Sequence, residues 1–228
     1  MPRGARFHPH THAEHQLCWA GQGILIVECH HETWVLPPSR ALWVPAGIIH
    51  APACVGPALM QSLYLEPTGS AEWSSPTVVV VEPLLAELIG YLERDLAADQ
   101  RERAVALVRD LLRPAETGAV HAPLPHDRRA RAVASALRAH PEDQRDLAGW
   151  AVSVNVSGRT LARRFREETG VPFGQWRTAV RVQAALVLLA QDAPVSRVAR
   201  RVGYDTTSAF VAAFRKHTGV TPGAYFNK

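Results

Sequence analysis

A phrase written twice near the end of the chain constrains its fold more than any other feature. Phe165-Arg166-Glu167-Glu168-Thr169-Gly170-Val171 returns 49 positions later as Phe214-Arg215-Lys216-His217-Thr218-Gly219-Val220. Leu161 and Phe210, each four residues before the repeated Phe, correspond as well, and Pro172 and Pro222 follow each Val within two residues. Repetition at one fixed offset means one supersecondary unit used twice. Ahead of the first copy, Leu147 to Ala151 read as a short helix and Ser153-Val154-Asn155 as a break. Ser157 then serves as N-cap of a second helix that runs through Phe165. Ahead of the second copy, Val195 to Arg201, a turn at Val202-Gly203 and a helix from Thr206 to His217 repeat the plan. Gly203 supplies the residue that takes a positive φ in the turn at little cost. Two helix-turn-helix units in tandem point to duplex DNA.

Charge follows the same division. The chain carries +4 overall, but residues 1–122 hold 8 basic against 13 acidic side chains, a net of −5. Residues 123–228 hold 17 against 8, a net of +9. An acidic half joined to a basic half fits a sensor fused to a module that binds a polyanion. The arginines alone would equally fit a plain solvated face; the duplicated unit favours DNA. No apolar run reaches the ~18–20 residues of a membrane span, Ala184 to Ala190 being too short. Met1 to Arg6 lead into histidines rather than an apolar segment, so neither a secretory leader nor a membrane location is expected. Cys18, Cys29 and Cys54 are odd in number and form no CxxC pair, which suits a reducing compartment.

The expected fold class is α+β. In the first 82 residues, short apolar runs at 16–20, 24–28, 33–36, 41–44, 62–65 and 77–81 predict strands, divided by Gly21-Gln22-Gly23, Pro37-Pro38-Ser39 and Pro45-Ala46-Gly47. Their even spacing predicts a small barrel or jelly roll. From residue 83 to 113 the period is helical. Leu84, Leu88 and Leu92 share one stripe, with Leu85, Ile89 and Leu96 beside it; Ala104, Val105, Val108, Leu111 and Leu112 make another. These two helices either cover the barrel or pair with a second subunit. Residues 114–126 read as a linker. Residues 127–228 read as all helical, with Phe173 to Ala190 as a rod whose apolar side carries Trp176, Val180, Ala184, Val187 and Leu188.

The closing ~100 residues strongly resemble the DNA-binding region of AraC-type transcription regulators. The resemblance rests on the double unit, on Arg181, Ala185 and Leu188-Leu189 in the rod, and on Val198-Ala199, Gly203-Tyr204, Ser208-Ala209-Phe210, Phe214-Arg215 and Gly219-Val220-Thr221-Pro222 ending at Tyr225. In the first unit Leu161 and Phe165 share the face that must be buried, and Arg159 and Arg163 lie opposite with Ala162 beside them. The resemblance implies base reading by Arg159, Ala162 and Arg163, behind the Ser157 cap. Arg164 and Arg166 flank that face as phosphate contacts or solvated charges. In the second unit Phe210 and Phe214 are the core pair. The outward positions Thr207, Ser208, Val211 and Ala212 can touch thymine methyls or make single hydroxyl bonds, but no bidentate guanine contact. Arg215 and Lys216 remain for phosphates.

Seven of the eleven histidines fall in the first 50 residues. Alternate residues of a strand point the same way, so His10 and His12 can share one metal ion. Gly4, His10-Thr11-His12, Gln16 and Gly23 are spaced like the first motif of cupin barrels, with Gln16 where glutamate is more usual. Pro45-Ala46-Gly47-Ile48-Ile49-His50 resembles the second cupin motif, whose histidine completes the metal site. Cys54 stands where an asparagine is usual and Ser39 where a glycine is usual. The resemblance implies one dication (Zn, Ni, Co, Fe or Mn) on His10, His12, Gln16 and His50, or a metal-free pocket for an organic effector. Cys18, His15 and Cys29-His30-His31 are further donors nearby in sequence. The composite expectation is a cytoplasmic bacterial regulator, homodimeric, sensing a small molecule or metal and binding double-stranded promoter DNA. Two rival readings are a cupin metalloenzyme carrying DNA-binding helices and a nucleoid-type binder without sequence preference. The first finds no general acid and base beyond the ligand set, and the second does not need two rigidly spaced units.

Overall fold

The computed structural model describes residues 6–29, 32–55, 59–67, 73–115 and 120–226. Two compact units divide the chain, residues 1–30 with 34–119 and residues 31–33 with 120–228.

The first unit is built on β1 (His15–Ala20), β2 (Ile24–Cys29), β3 (Glu32–Leu36), β4 (Arg40–Val44), β5 (His50–Val55), β6 (Met60–Leu65) and β7 (Thr77–Val80). One sheet runs β6-β1-β4-β7; the other carries β5, β2 and β3 in that order. The expected barrel is therefore two open sheets packed on a shared core of Cys18, Leu25, Val27, Leu42, Val44 and Cys54. Strand β1 is buried on both faces. Cys18 and Ala20 turn to that inner core, while Leu17 and Trp19 turn outward against α1 (Pro83–Leu92) and α2 (Ala98–Leu111).

The two helices cover a sheet. Leu85, Ile89, Leu92, Ala104 and Val108 pack on Leu17, Trp43, Leu65 and Val79. The buried stripe is thus Leu85-Ile89-Leu92, not the one through Leu84, which is 54% exposed. Strand β5 has no counterpart among the expected strands because Pro52 sits in its middle. Proline survives there because Val27 of β2 faces it from one side, while on the other only isolated bridges form. Those bridges join Arg6 to Ala53 and His10 to His50, and the Phe7 amide donates to the Pro52 carbonyl at 2.9 Å. The stretch expected as a linker starts tied to the sheet: Pro114 bridges Val79, and the Ala115 amide donates to the Val78 carbonyl at 2.8 Å. A two-residue strand β8 (Val120–His121) follows.

The second unit consists of α3 (Arg128–Ala139), α4 (Leu147–Ser153), α5 (Gly158–Thr169), α6 (Phe173–Leu189), α7 (Val195–Arg201), α8 (Thr207–Thr218) and α9 (Pro222–Phe226). The repeated phrase is one helix ending used twice. Phe165 and Phe214 are fully buried, and the Thr169 and Thr218 hydroxyls donate back to their carbonyls. Gly170 at φ +75° and Gly219 at φ +81° then close each helix in the left-handed conformation. At the other ends the Ser157 and Thr206 hydroxyls accept from the amides of Thr160 and Ala209. Helix α6 is buried around most of its circumference. Trp176 and Val180 are covered as expected, but Ala184, Val187 and Leu188 are only partly so, whereas Val182, Gln183 and Leu186 are buried. Two of its arginines hold the loop between α3 and α4. Arg177 donates to the carbonyls of Arg145 and Asp143, and Arg181 to that of Pro141 at 2.9 Å and to Asp143 and Gln144 Oε1 at 3.2 Å. Gln144 in turn donates to the Gly203 carbonyl at 2.8 Å, so one set of hydrogen bonds joins the rod to the turn of the second unit.

Candidate functional sites

The helical unit presents its candidate reading positions to solvent. Leu161, Phe165, Phe210 and Phe214 are at most 1% exposed, which fixes the opposite faces of α5 and α8 outward. On α5, Ser157, Arg159, Arg163 and Arg166 are exposed and Ala162 is half-buried. Arg164 is set apart: its Nε lies 4.0 Å from the Asp127 carboxylate, beside the cap of α3 rather than on the reading face. Arg163 is engaged with Glu167, a residue that sequence reasoning passed over. Glu168, equally unforeseen, uses Oε2 to accept from the amides of His126 and Asp127 at 2.7 and 2.8 Å, pinning the entry to α3. On α8, Thr207, Ser208, Val211, Ala212, Arg215 and Lys216 line one concavity of about 880 Å³ together with Gly219 and Thr221. Its floor is methyl groups and hydroxyls, with cations at one end.

In the sheet unit three imidazoles converge. His10, His12 and His50 can each offer a ring nitrogen such that all three lie within 4.8 Å of one another. His10 and His12 are not in a regular strand, as alternation would have it. An extended N-terminal segment lies along β5, and His10 exchanges backbone hydrogen bonds with His50 at 3.0 Å in both directions. Each ring is oriented by its own backbone neighbourhood. Nδ1 of His10 meets the His8 carbonyl at 2.8 Å, that of His12 the Glu14 carbonyl at 2.7 Å, and that of His50 the Ile48 carbonyl at 2.9 Å. A carbonyl only accepts, so Nδ1 carries the proton and Nε2 of each neutral ring bears a lone pair. Gln16 joins the cluster from β1, with Oε1 at 2.6 Å from Nε2 of His50 and 3.2 Å from that of His12. Its amide nitrogen sits 2.9 Å from Ser62 Oγ and 3.2 Å from the Tyr64 hydroxyl, two residues of β6 with no motif to mark them. His50 is 1% exposed, and burial lowers its pKa from the ordinary histidine value, which keeps the ring neutral.

The other sequence candidates lie elsewhere. His15 accepts from the Ala46 amide at 3.1 Å and stacks on Trp43. Cys18, Cys29 and Cys54 are buried in the inner core and not joined by disulfides, Cys29 facing His50 across the β2–β5 ladder. Gly4, His30 and His31 fall outside the described residues.

Paired helix-turn-helix units that follow a sheet domain carrying a histidine cluster are the arrangement of a DNA-binding regulator, and the comparisons agree. The family described as a helix-turn-helix domain matches residues 150–228, and that described as an AraC-like ligand binding domain matches residues 1–113. The chain is 30% identical over 220 residues to the HTH-type transcriptional regulator NimR of Escherichia coli K12, covering 95% of this chain and 81% of that protein. It is 48% identical over 103 residues to the HTH-type transcriptional regulator RipA of Corynebacterium glutamicum, covering 45% of this chain and 31% of that one. The Arabinose operon regulatory protein of E. coli K12 is 33% identical over 103 residues, with 44% and 35% covered. The chain belongs to the AraC family of transcription regulators, with a ligand-binding domain followed by a DNA-binding helix-turn-helix domain. No helix among the described residues is long and apolar enough to cross a membrane.

Proposed function

We propose that this regulator reads promoter DNA through the outer faces of α5 and α8, and that a dication held by His10, His12, His50 and Gln16 sets its affinity for that DNA. The first half is supported by the placement of Arg159 and Arg163 opposite the buried Leu161 and Phe165. Arginine pairs can donate bidentately to guanine edges, whereas Thr207, Ser208, Val211 and Ala212 of α8 offer only methyls and hydroxyls. The second half is supported by the convergence of three imidazoles within 4.8 Å, each with its Nδ1–H held by a backbone carbonyl and its Nε2 lone pair left for a ligand. The 2.6 Å between Nε2 of His50 and Oε1 of Gln16 is hydrogen-bond distance, shorter than the roughly 3.3 Å between neighbouring donors on a tetrahedral dication. Without metal the amide turned over would donate to His50 and accept from Ser62 and Tyr64; with metal the two donors must move apart. Three imidazole nitrogens and one amide oxygen suit Zn, Ni, Co, Fe or Mn, the neutral amide weakening the hold on a dication relative to a carboxylate.

Dimerisation belongs to the same reading. Helices α1 and α2 each leave a large apolar residue outside the sheet core, Leu84 at 54% and Leu107 at 41% exposure. A homodimer through these helices places two DNA-binding units on one promoter. The site is read as a sensor in the cytoplasm, not as a catalytic centre. The test combines metal analysis of protein purified without an affinity tag with gel shifts on a duplex selected from a random library. Selective binding that responds to chelator and to restored metal supports both halves. Selective binding indifferent to Zn, Ni and Mn leaves the pocket to an organic effector. No preference over random duplex overturns the promoter reading.

A further inference from the structure

One carboxylate on α5 faces a partner rather than the solvent alone. Nη1 of Arg163 donates to both oxygens of Glu167, at 3.0 and 2.9 Å. The bond occupies one nitrogen of the guanidinium and leaves the Nε–Nη2 edge with its two parallel donors. Both side chains are about half exposed, 53% and 50%, so the pair adds little to stability. An acidic side chain on a helix that approaches phosphates also costs affinity for any duplex. Its presence calls for a benefit that neither stability nor charge supplies.

The duplication indicates what the benefit is. At the 49-residue offset, Arg163 corresponds to Ala212 and Glu167 to Lys216. Where the reading arginine is absent, the carboxylate is absent too and a cation replaces it. Glu167 itself stands a full turn further from the helix N-terminus than Arg163, and the first residues of a recognition helix are those that reach base edges. We propose that Glu167 is a positioning residue. It clamps the Arg163 guanidinium so that its free edge meets guanine O6 and N7 as a preformed fork, setting base preference at a single pair of the first half-site. A flexible arginine must give up rotamer freedom on binding; a clamped one has already done so, and it is less free to turn to a phosphate.

The inference rests on Arg163 reading a base, and the experiment separates the two. Full-length protein is used to select a duplex from a random library, and affinities are measured on the selected site and on its single-base variants. The proteins compared are the wild type, Arg163→Ala, Glu167→Gln and the double variant. Arg163→Ala should lower discrimination at one G·C pair by about tenfold. Glu167→Gln should lower it at the same pair by roughly threefold and leave other positions unchanged, while affinity for random duplex rises because a negative charge is gone. In the Arg163→Ala background Glu167→Gln should alter no base preference. If Arg163→Ala changes no preference, the arginine reads nothing and the clamp falls with it. If only Glu167→Gln is silent on preference, or shifts all sequences alike, Arg163 still reads but Glu167 does not position it. A change of preference that survives in the Arg163→Ala background means Glu167 contacts a base directly, which also overturns the proposal. A thermal transition matching the wild type in each variant keeps the comparison free of folding effects.

Discussion

Replacing Gly203 with alanine tests whether the turn of the second helix-turn-helix unit is locked by the rod. Gly203 has φ +87°, where an alanine pays about 1–2 kcal/mol for its left-handed backbone. The added methyl would also stand 2.8 Å from Arg181 Nη2, 3.0 Å from its Cζ and 2.9 Å from the Cα of Glu142. A backbone atom cannot swing aside, and Arg181 is tethered to the carbonyls of Pro141 and Asp143. Relieving the overlap means moving the 141–146 loop, an overpacking cost of about 1–3 kcal/mol. The sum is roughly 2–5 kcal/mol. Gly170 and Gly219 provide the controls. Their φ values, +75° and +81°, are similar, but a methyl on either meets nothing within 4 Å, so only the backbone cost of about 1–2 kcal/mol applies. Urea unfolding followed by far-ultraviolet circular dichroism would measure the three variants, since the second unit holds most of the helix. Gly203→Ala should lose at least 1 kcal/mol more than either control. Equal losses would show that the contacts of the turn with Arg181 and the loop carry no energy.

Four further outcomes follow from the same geometry. Arg159→Ala or Arg163→Ala should each weaken binding to the selected duplex by about 1–3 kcal/mol in gel shifts, and Thr207→Ala or Val211→Ala by less; equal losses on α5 and α8 would refute the asymmetry between the units. Leu84→Glu with Leu107→Glu should give a monomer by light scattering where the wild type is a dimer, and a wild type already monomeric at high micromolar concentration would remove the proposed interface. Zinc affinity, measured by competition with a chelator, should fall on acidification, because protons compete with the metal for each imidazole nitrogen. In metal-free protein the buried His50 has a lowered folded-state pKa, so its contribution to stability is present above the ordinary histidine value. That contribution is lost as pH falls through the lower folded value. A midpoint of urea unfolding that His50→Gln shifts equally at pH 7.5 and pH 5 would contradict this.

What could be read from the chain alone divides by the distance over which the physics acts. The duplicated unit was legible because its signals are local. A hydroxyl caps three residues on, a threonine bonds back four residues to a phenylalanine carbonyl, and a glycine turns the chain. Each is a short-range requirement that leaves a residue type at a fixed offset. Strand β5 was not legible because Pro52 carries a prohibition that only an edge position lifts, and edge position is a property of the whole sheet. The buried face of α1 was left open between two adjacent stripes for a related reason. Leu84 and Leu85 are equally apolar, and only the curvature of the sheet beneath decides which one it covers. At the histidine cluster the motif named the residues that converge, but not the element that brings them together. His10 reaches His50 by pairing its backbone with β5 in an isolated bridge rather than from a regular strand. Gln16 shows the limit most clearly. Its residue type predicts a weaker ligand than glutamate. Whether it faces His50 as acceptor or donor depends on the hydroxyls of Ser62 and Tyr64, 46 and 48 residues away. Turned towards the imidazoles as a donor, a neutral amide closes the cluster with hydrogen bonds alone; turned as an acceptor it needs a positive charge beside it, and a carboxylate has only that second arrangement. On the proposed reading, this choice is what lets the site exist with or without metal, which a sensor requires and a purely structural ion site does not.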